Sequence, residues 1–570
     1  MPRGIVECIL NTLHLFTGEL QNALEFNLRV SGYKDIANQL HKLLQSIDED
    51  CLANDSEPNE QLSSEEALAL FVDAKLTKYQ YNRIRFAAIN KHCSIFPAYK
   101  NLLAAKTKCY PPNLYISDKK SKLELQCLLD LTASRLLLSL ELKNNLPHHT
   151  NLVMISKWGC DGSSGHSLYK QNFENVEHSD ESVFMVSLVP LELSSGDERI
   201  PFWVNPHPSS TKLCRPVMFE FCKETKDKIL DTVNVIKNEI NCLSPTEVPI
   251  ENQKFSVTHN LVLTMLDGKV CQTLTNTPSA ACCPLCGAKP SELNDIDTVR
   301  QRPISEGSTE YGLSTLHAWI RFMECILHIA YRLDLHEKKW SVRSPEDKLK
   351  MKSTKKRIQL QLKQQLGIIV DIPRQGSGTS NDGNTARRFF RNWETVAEIT
   401  GVDKNLIYRF YIILQVLASG ELVDSSNFEQ FARQTAYDFV DLYGWYFMPS
   451  AVHRVLIHCK AVLDSTLLPI GKLSEEAQES RNKDFKRFRQ SHTRKTRRSL
   501  TNEDLIHHLL VSSDPVISSL RAKWNSPHLD LEEDAKNLLS SSPNAINIDS
   551  ESEQQSYDAE NDYEMEDNAH

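Results

Sequence analysis

The sequence predicts an α+β, mostly α, multidomain chain with one α/β domain near its middle. Three observations predict it. The 570 residues exceed what one hydrophobic core usually supports. Helical periodicity dominates residues 64–145 and again 316–462. Between these regions lie four β-branched or aromatic runs bounded by turn residues, "NLVMISKWG", "SVFMVSLVPLEL", "RPVMFEFC" and "FSVTHNLVLTML". The helical stretch "KETKDKILDTVNVIKNEIN" separates the last two, so the order reads strand, strand, strand, helix, strand.

In chain order, residues 1–60 read as helical segments ending in the acidic linker "SIDEDCLANDSEPNEQLSS". Residues 61–148 form a helical region that opens on "SSEEALALFVDAKL", with Ser followed by Glu in the first turn. The α/β domain begins over 149–275. A helical insertion carrying "SAACCPLCGAKPSELND" fills 276–465, and 466–500 holds a charged helix. A C-terminal region of 501–548 precedes the tail of 549–570, which is rich in Ser, Asp and Glu and is expected to be disordered. No internal repeat is visible.

The net charge of -9 comes from that tail, which holds nine of the 74 acidic residues and no Lys or Arg. The rest of the chain balances 65 Lys and Arg, so a pI near 6 does not exclude nucleic acid. The positive charge concentrates between Arg481 and Arg498, with a second patch from Lys348 to Lys363. No window of about 20 apolar residues suggests a membrane span, and no signal peptide is evident. Fifteen irregularly spaced cysteines then point to reduced thiols, some on metal, rather than a disulfide framework.

Three groups of residues could carry chemistry. Asp161 in "WGCDG" and Asp267 in "TMLDG" each follow an apolar run and precede Gly, where strands leave an open sheet and ligands bind. Two such aspartates and a helical glutamate can hold two divalent ions about 4 Å apart for phosphodiester chemistry. Taken alone, each Asp-Gly pair reads far more readily as a turn. Glu475, Glu476 and Glu479 are the glutamate candidates in "LSEEAQESRNKDFKRFRQSHTRKTRRS", where nine basic residues follow within Arg481–Arg498 against one Asp. The alternative is a solvated helix with Glu–Lys pairs.

The third group is Cys283 and Cys286 in "CCPLCG" with His453 and His458 in "AVHRVLIHCK". Cys-x2-Cys is a half-site for tetrahedral zinc. The histidines, five apart, sit more than about 90° apart on a regular helix, so convergence predicts an end or distortion between them. Cys282 and Cys459 compete by position.

Together, "LDGKVCQTLTNTPSAACCPLCGAKPSELND", "NPHPSSTKLCRPVMFEFCKET", "SNDGNTARRFF" and "LLPIGKLSEEAQESRNKDFKRFRQSHTRKT" resemble the Transib family of cut-and-paste DNA transposases, relatives of the catalytic subunit of the V(D)J recombinase. The resemblance runs from about Ser64 to about Ser499. It implies an RNase H-like catalytic domain, interrupted by a zinc-binding helical insertion and preceded by a helical dimerisation and DNA-binding region. It assigns the acids, with Mg2+ or Mn2+, to Asp161, Asp267 and Glu479, leaving Glu475 and Glu476 as bystanders. Zinc falls to Cys283, Cys286, His453 and His458.

DNA contacts fall to Arg387 in "DGNTARR" and to Arg481, Lys483, Lys486, Arg487, Arg489, Arg494, Lys495, Arg497 and Arg498. His317 in "STLHAWIRF" matches a family histidine near the site, and also reads as a helix-start polar residue. The family implies a nuclear homodimer that pairs terminal inverted repeats of double-stranded DNA, nicks one strand, forms hairpins and joins the excised end to target DNA. The alternative is a host-retained, transposase-derived DNA-binding protein without cleavage. Residues 1–60 and the tail fall outside the resemblance.

Overall fold

The computed structural model describes residues 61–166, 173, 178–196, 200–250, 252–373, 378–521 and 531–540. The helical segments and linker expected over 1–60, and the acidic tail of 549–570, lie outside the described residues. Among the described residues no helix is long and apolar enough to cross a membrane, and the cysteines are free thiols.

Helices α1 (Ser64–Asp73), α2 (Lys78–Ile89) and α3 (Tyr99–Thr107) come first, and α1 and α2 each start on a capping box that satisfies their open N–H groups. Strands β1 (Leu114–Ile116) and β2 (Lys120–Leu123) lead into α4 (Leu125–Glu141). The central run is β3 (Asn151–Ser164), β4 (Ser182–Ser195), β5 (Pro201–Val204), β6 (Arg215–Glu220), α5 (Lys226–Asn241), β7 (Thr246–Ile250), β8 (Gln253–Leu266) and α6 (Gly268–Leu274). The expected order of strand, strand, strand, helix, strand corresponds to β3, β4, β6, α5 and β8.

Eight strands form one mixed sheet in the order β1-β2-β6-β4-β3-β8-β7, with β5 on β4. β3 pairs antiparallel with β4 and parallel with β8. The central strands are apolar at almost every position because both faces are covered, and all six residues of β6 are buried. Residues of α4, of α5 and of the later segment 485–510 pack with the sheet in one core. Val189, Leu191 and Met265 turn instead into the helical body.

That body holds α7 (Ile296–Arg300), α8 (Thr315–Ala330), α9 (Pro345–Leu366), α10 (Gly383–Arg391), α11 (Trp393–Thr400), α12 (Lys404–Ala418), α13 (Ser425–Tyr443) and α14 (Ser450–Ser465). The chain then returns to the sheet as α15 (Glu476–Ser491) and α16 (Arg498–Ser512), followed by α17 (Pro515–Leu520) and α18 (Glu533–Lys536).

Two expected boundaries change. The helical region of 61–148 divides, because the apolar face of α4 joins the sheet core while α1–α3 form their own cluster closed by Val511 and Ile517. The region of 501–548 also divides: Leu505, Ile506 and Leu509 on α16 complete the sheet core, while Ala535 and Leu538 pack on the helical body. Short β1 and β2 lie inside a stretch that reads as helical from sequence. The edge strand is β1, Leu-Tyr-Ile, whose three residues leave little backbone open to pairing with other chains, while the lysines of β2 lie one strand further in.

Candidate functional site

The parallel pairing of β3 with β8 ends at Cys160 opposite Leu266, so the next residues, Asp161 and Asp267, lie abreast. A bulge makes this so. Trp158 pairs with Leu263 but Gly159 with Met265, and the extra residue, Thr264, advances β8 by one. Without it Leu266 would stand beside Asp161, since a one-residue slip exchanges the faces of a strand. Asp161 is still within β3, which continues to Ser164 against β4, so the expected strand-end position holds only for the pairing with β8. Asp267 is the N-cap of α6, its Oδ1 accepting from the Val270 N–H at 2.7 Å.

Helix α15 faces this pair. Asn482 Nδ2 donates to Asp161 Oδ2 at 2.6 Å, and Glu479 lies one turn earlier on the same helix. Burial, then the Asp267, Glu224 and Glu479 carboxylates, push the Asp161 carboxyl up to about 8, against the opposing pull of His317. Four acids therefore share one electrostatic neighbourhood. Glu479 keeps a side-chain exposure of 43% and reaches Lys483 at 3.7 Å.

Glu224 and Asn482 are missing from the sequence-based set. Glu224 sits just before α5, tied down by Lys269 Nζ, which donates to its carbonyl and its Oε2, both at 2.9 Å. Its Oε1 is buried without a hydrogen-bond partner. Flanked by lysines in "CKETK", it reads from sequence as an ordinary helix-start acid. Asn482 carries a weak signal, lying three residues after Glu479 and hence on the same side of the helix.

Glu475 and Glu476, expected to be bystanders to the three acids, are both engaged in side-chain pairs. Glu475 is buried and its Oε1 accepts from the Ser314 hydroxyl, from the His317 N–H at 3.3 Å, and pairs with His317 Nδ1 at 2.8 Å. Burial works to raise its carboxyl, but the contacts with His317 and Ser314 hold it below the usual range. Burial likewise opposes charge on His317, whereas Glu475, Asp267 and Glu479 together raise its pKa. Glu476 pairs with Arg387, whose guanidinium lies 5.9 Å from the Trp319 ring centroid. Buried Lys157 on β3 fastens the entry to α15, donating to the carbonyls of Lys472 at 2.9 Å and Ser474 at 2.6 Å.

The basic run does not form one exposed face: of its nine residues Arg481, Arg489 and Arg498 are buried, which corrects their expected contact with DNA. Helical periodicity turns Arg481, Phe485, Phe488 and Arg489 inward, with Phe485 against Phe219 at 4.9 Å between ring centroids. Arg481 is 0% exposed and donates to Ser512 Oγ at 2.9 Å, to Cys214 O at 2.8 Å and to Thr211 O. Arg489 and Arg498 are buried around Asp180 at 2.6 and 3.4 Å and stack on Phe221.

Arg494 is held by Glu503 and Asp504, Arg487 by Asp484, and Lys495 bonds to Thr493 and the Arg489 carbonyl. Lys483, Lys486 and Arg497 remain exposed. Arg481→Met is expected to lower stability by roughly 2–4 kcal/mol, since it strands buried acceptors, whereas Lys486→Ala should stay within about 0.5 kcal/mol. Unfolding midpoints of the two variants check this.

Cys283, Cys286, His453 and His458 bring their ligand atoms within 4.8 Å of one another. Cys286 Sγ lies 3.6 Å from His453 Nε2, and the two Nε2 atoms lie 3.2 Å apart. A tetrahedral zinc with bonds of about 2.3 Å to sulfur and about 2.05 Å to nitrogen requires about 3.6 and 3.3 Å for these edges. The donor set and its spacing therefore fit zinc.

A hydrogen bond from Cys283 and contacts with both histidines pull the Cys286 thiol far down, while the same bond and burial hold Cys283 up. Contrary to the expected break, α14 runs unbroken through both histidines. The ligating atoms are the distal Nε2, whose reach the backbone angle leaves out. Cys282 and Cys459 are buried outside the cluster.

No protein-family model matches the chain, and no curated protein sequence matches it. Among solved structures the chain is similar to a Drosophila P element transposase strand transfer complex, at 11% identity and a TM-score of 0.29, with 85% of this chain and 100% of that chain covered.

Proposed function

We propose that the chain is a cut-and-paste DNA transposase of the Asp-Asp-Glu type, similar to the Transib family and to the catalytic subunit of the V(D)J recombinase. Its sheet would be the RNase H-like element and the helical body the zinc-bearing insertion. The observation that carries this reading is the placing of Asp161 and Asp267 abreast on parallel strands, with Glu479 facing them from α15. An acid cluster crowded enough to raise Asp161 to about 8, beside an orphaned Glu224 Oε1, suits divalent cations.

Asp161, Asp267 and Glu479 would hold Mg2+ or Mn2+, with Glu224 adjacent. Two such ions, when bound, activate the attacking oxygen and stabilise the leaving one. Asn482 fixes the Asp161 carboxylate, and Glu475 fixes His317 with its imidazole towards the acids. Arg387, braced by Glu476, and exposed Lys483, Lys486 and Arg497 would meet phosphates. Water would nick one strand; the freed 3' hydroxyl would attack the other, closing a hairpin on flanking DNA before the excised end joins a target. A nuclear homodimer pairing two terminal inverted repeats is part of the same reading.

The test is cleavage of a duplex carrying a candidate terminal repeat, with Mg2+ or Mn2+, resolved on a denaturing gel. Wild type should yield a nick and a hairpin. Asp161→Asn should lose about 10^3-fold or more of the rate while binding the duplex as tightly. Salt-sensitive binding without product from wild type would mean a host-retained DNA-binding protein instead.

A further inference from the structure

Helix α9, remote in sequence from the three acids, has seven Lys or Arg and two acidic residues in its 22 positions. At 100° per residue, Lys348, Lys352, Lys355, Lys356 and Lys363 fall within an arc of about 100°. Only Thr354, Ile358 and Leu362 are buried, and they lie on the neighbouring arc. Glu346 and Asp347 occupy the first turn, off the lysine stripe, where they complement the helix dipole. Lys355 is tied to Asp371 at 3.1 Å. Lys348, Lys352, Lys356 and Lys363 are exposed and make no ion pair among the described residues.

The contrast with the run on α15 is physical. There, arginines are consumed by Asp180, Asp484, Asp504 and backbone carbonyls. On α9 only Lys355 of the stripe is neutralised within the described fold, by Asp371, and the other four lysines have no ion pair there. A solvated helix face usually mixes signs so that i,i+4 pairs support it; this one is of a single sign for four turns. From Lys348 to Lys363 the stripe is about 22 Å long, which matches six to seven base pairs of duplex along the axis.

We infer that α9 is a second duplex-DNA contact surface, which grips the phosphate backbone without reading sequence, in addition to the site around the acids. The inference rests on the proposed function and extends it: the chain holds a further stretch of duplex on its helical body. Lysines on flexible stems suit this task, since point charges neutralise phosphates without the fixed geometry of base recognition.

The experiment compares the full chain with a variant carrying Lys348→Gln, Lys352→Gln, Lys356→Gln and Lys363→Gln. Binding to a random-sequence 40-base-pair duplex is measured by fluorescence anisotropy from 50 to 200 mM salt. Each lost phosphate contact removes about 0.9 from the log–log salt slope. The variant's slope should therefore be shallower by about 3 to 4, so that it loses about 10^2-fold less affinity across that range. Equal slopes overturn the inference, and a wild type that still nicks a repeat-bearing duplex would then leave the proposed function standing. A shallower slope in a protein that cuts nothing keeps the inference and removes the function. Slopes that differ only after residues 549–570 are deleted would assign the stripe to the chain's own acidic tail, and also overturn it.

Discussion

Gly159→Ala is expected to destabilise the protein by about 3 kcal/mol or more and, on the proposed function, to abolish DNA cleavage with it. A Cβ at Gly159 would stand 1.9 Å from the Met265 carbonyl oxygen and 2.5 Å from its carbon. Both are backbone atoms of the neighbouring strand, so no rotamer change relieves the clash. The strands must separate at the bulge that brings Asp161 level with Asp267. The same substitution at Gly196, where the nearest atom would be the Asn151 carbonyl oxygen at 3.5 Å, should be mild. Unfolding midpoints and cleavage rates for both variants check the difference. A stable, active Gly159→Ala protein would show that the aspartates do not depend on this close approach.

Cys286→Ser is expected to release zinc and to cost on the order of 3–5 kcal/mol, with the loss centred on the helical body. The cluster joins the loop around Cys283 and Cys286 to α14, two segments that meet only across the fold. Metal analysis should find one zinc per wild-type chain and none in Cys286→Ser. Cys282→Ser is the control: it should keep the zinc, because its Sγ is outside the cluster while its carbonyl accepts from Ser450 at 2.8 Å through backbone that the substitution leaves intact. Zinc lost equally from both variants would assign the site to the wrong cysteine.

Several parts of this arrangement were legible in the sequence because each depends on local pattern. Apolar runs gave β3, β4, β6 and β8, and the acids that follow two of them needed no tertiary information. Cys-x2-Cys was visible for the same reason. The bulge at Thr264 was not, because an extra residue in one strand is defined only by its partner. Glu224 looked ordinary because it reaches the site through the approach of α5 and α6, which pattern does not encode.

The arginines of α15 were misread for a further reason. A charge run signals a surface, yet at i, i+4 and i+8 the guanidiniums of Arg481 and Arg489 flank Phe485 on the packed face and find carbonyls and Asp180 there. Glu475 was dismissed on motif alone, although its partner His317 lies at the far end of the helical body's sequence.

The helical body has one more consequence, in time rather than in space. Asp161 and Asp267 leave the ribosome well before Glu479, with the whole of that body between them. At synthesis rates of about 5–20 residues per second the interval is about 10–40 s. During it the nascent chain carries two acids and lacks the third. Closing so long a loop is entropically costly unless the intervening residues first condense, which is what the cluster of Cys283, Cys286, His453 and His458 favours. On the proposed function, a chain still on the ribosome would be unable to cut DNA until α15 has folded onto the sheet.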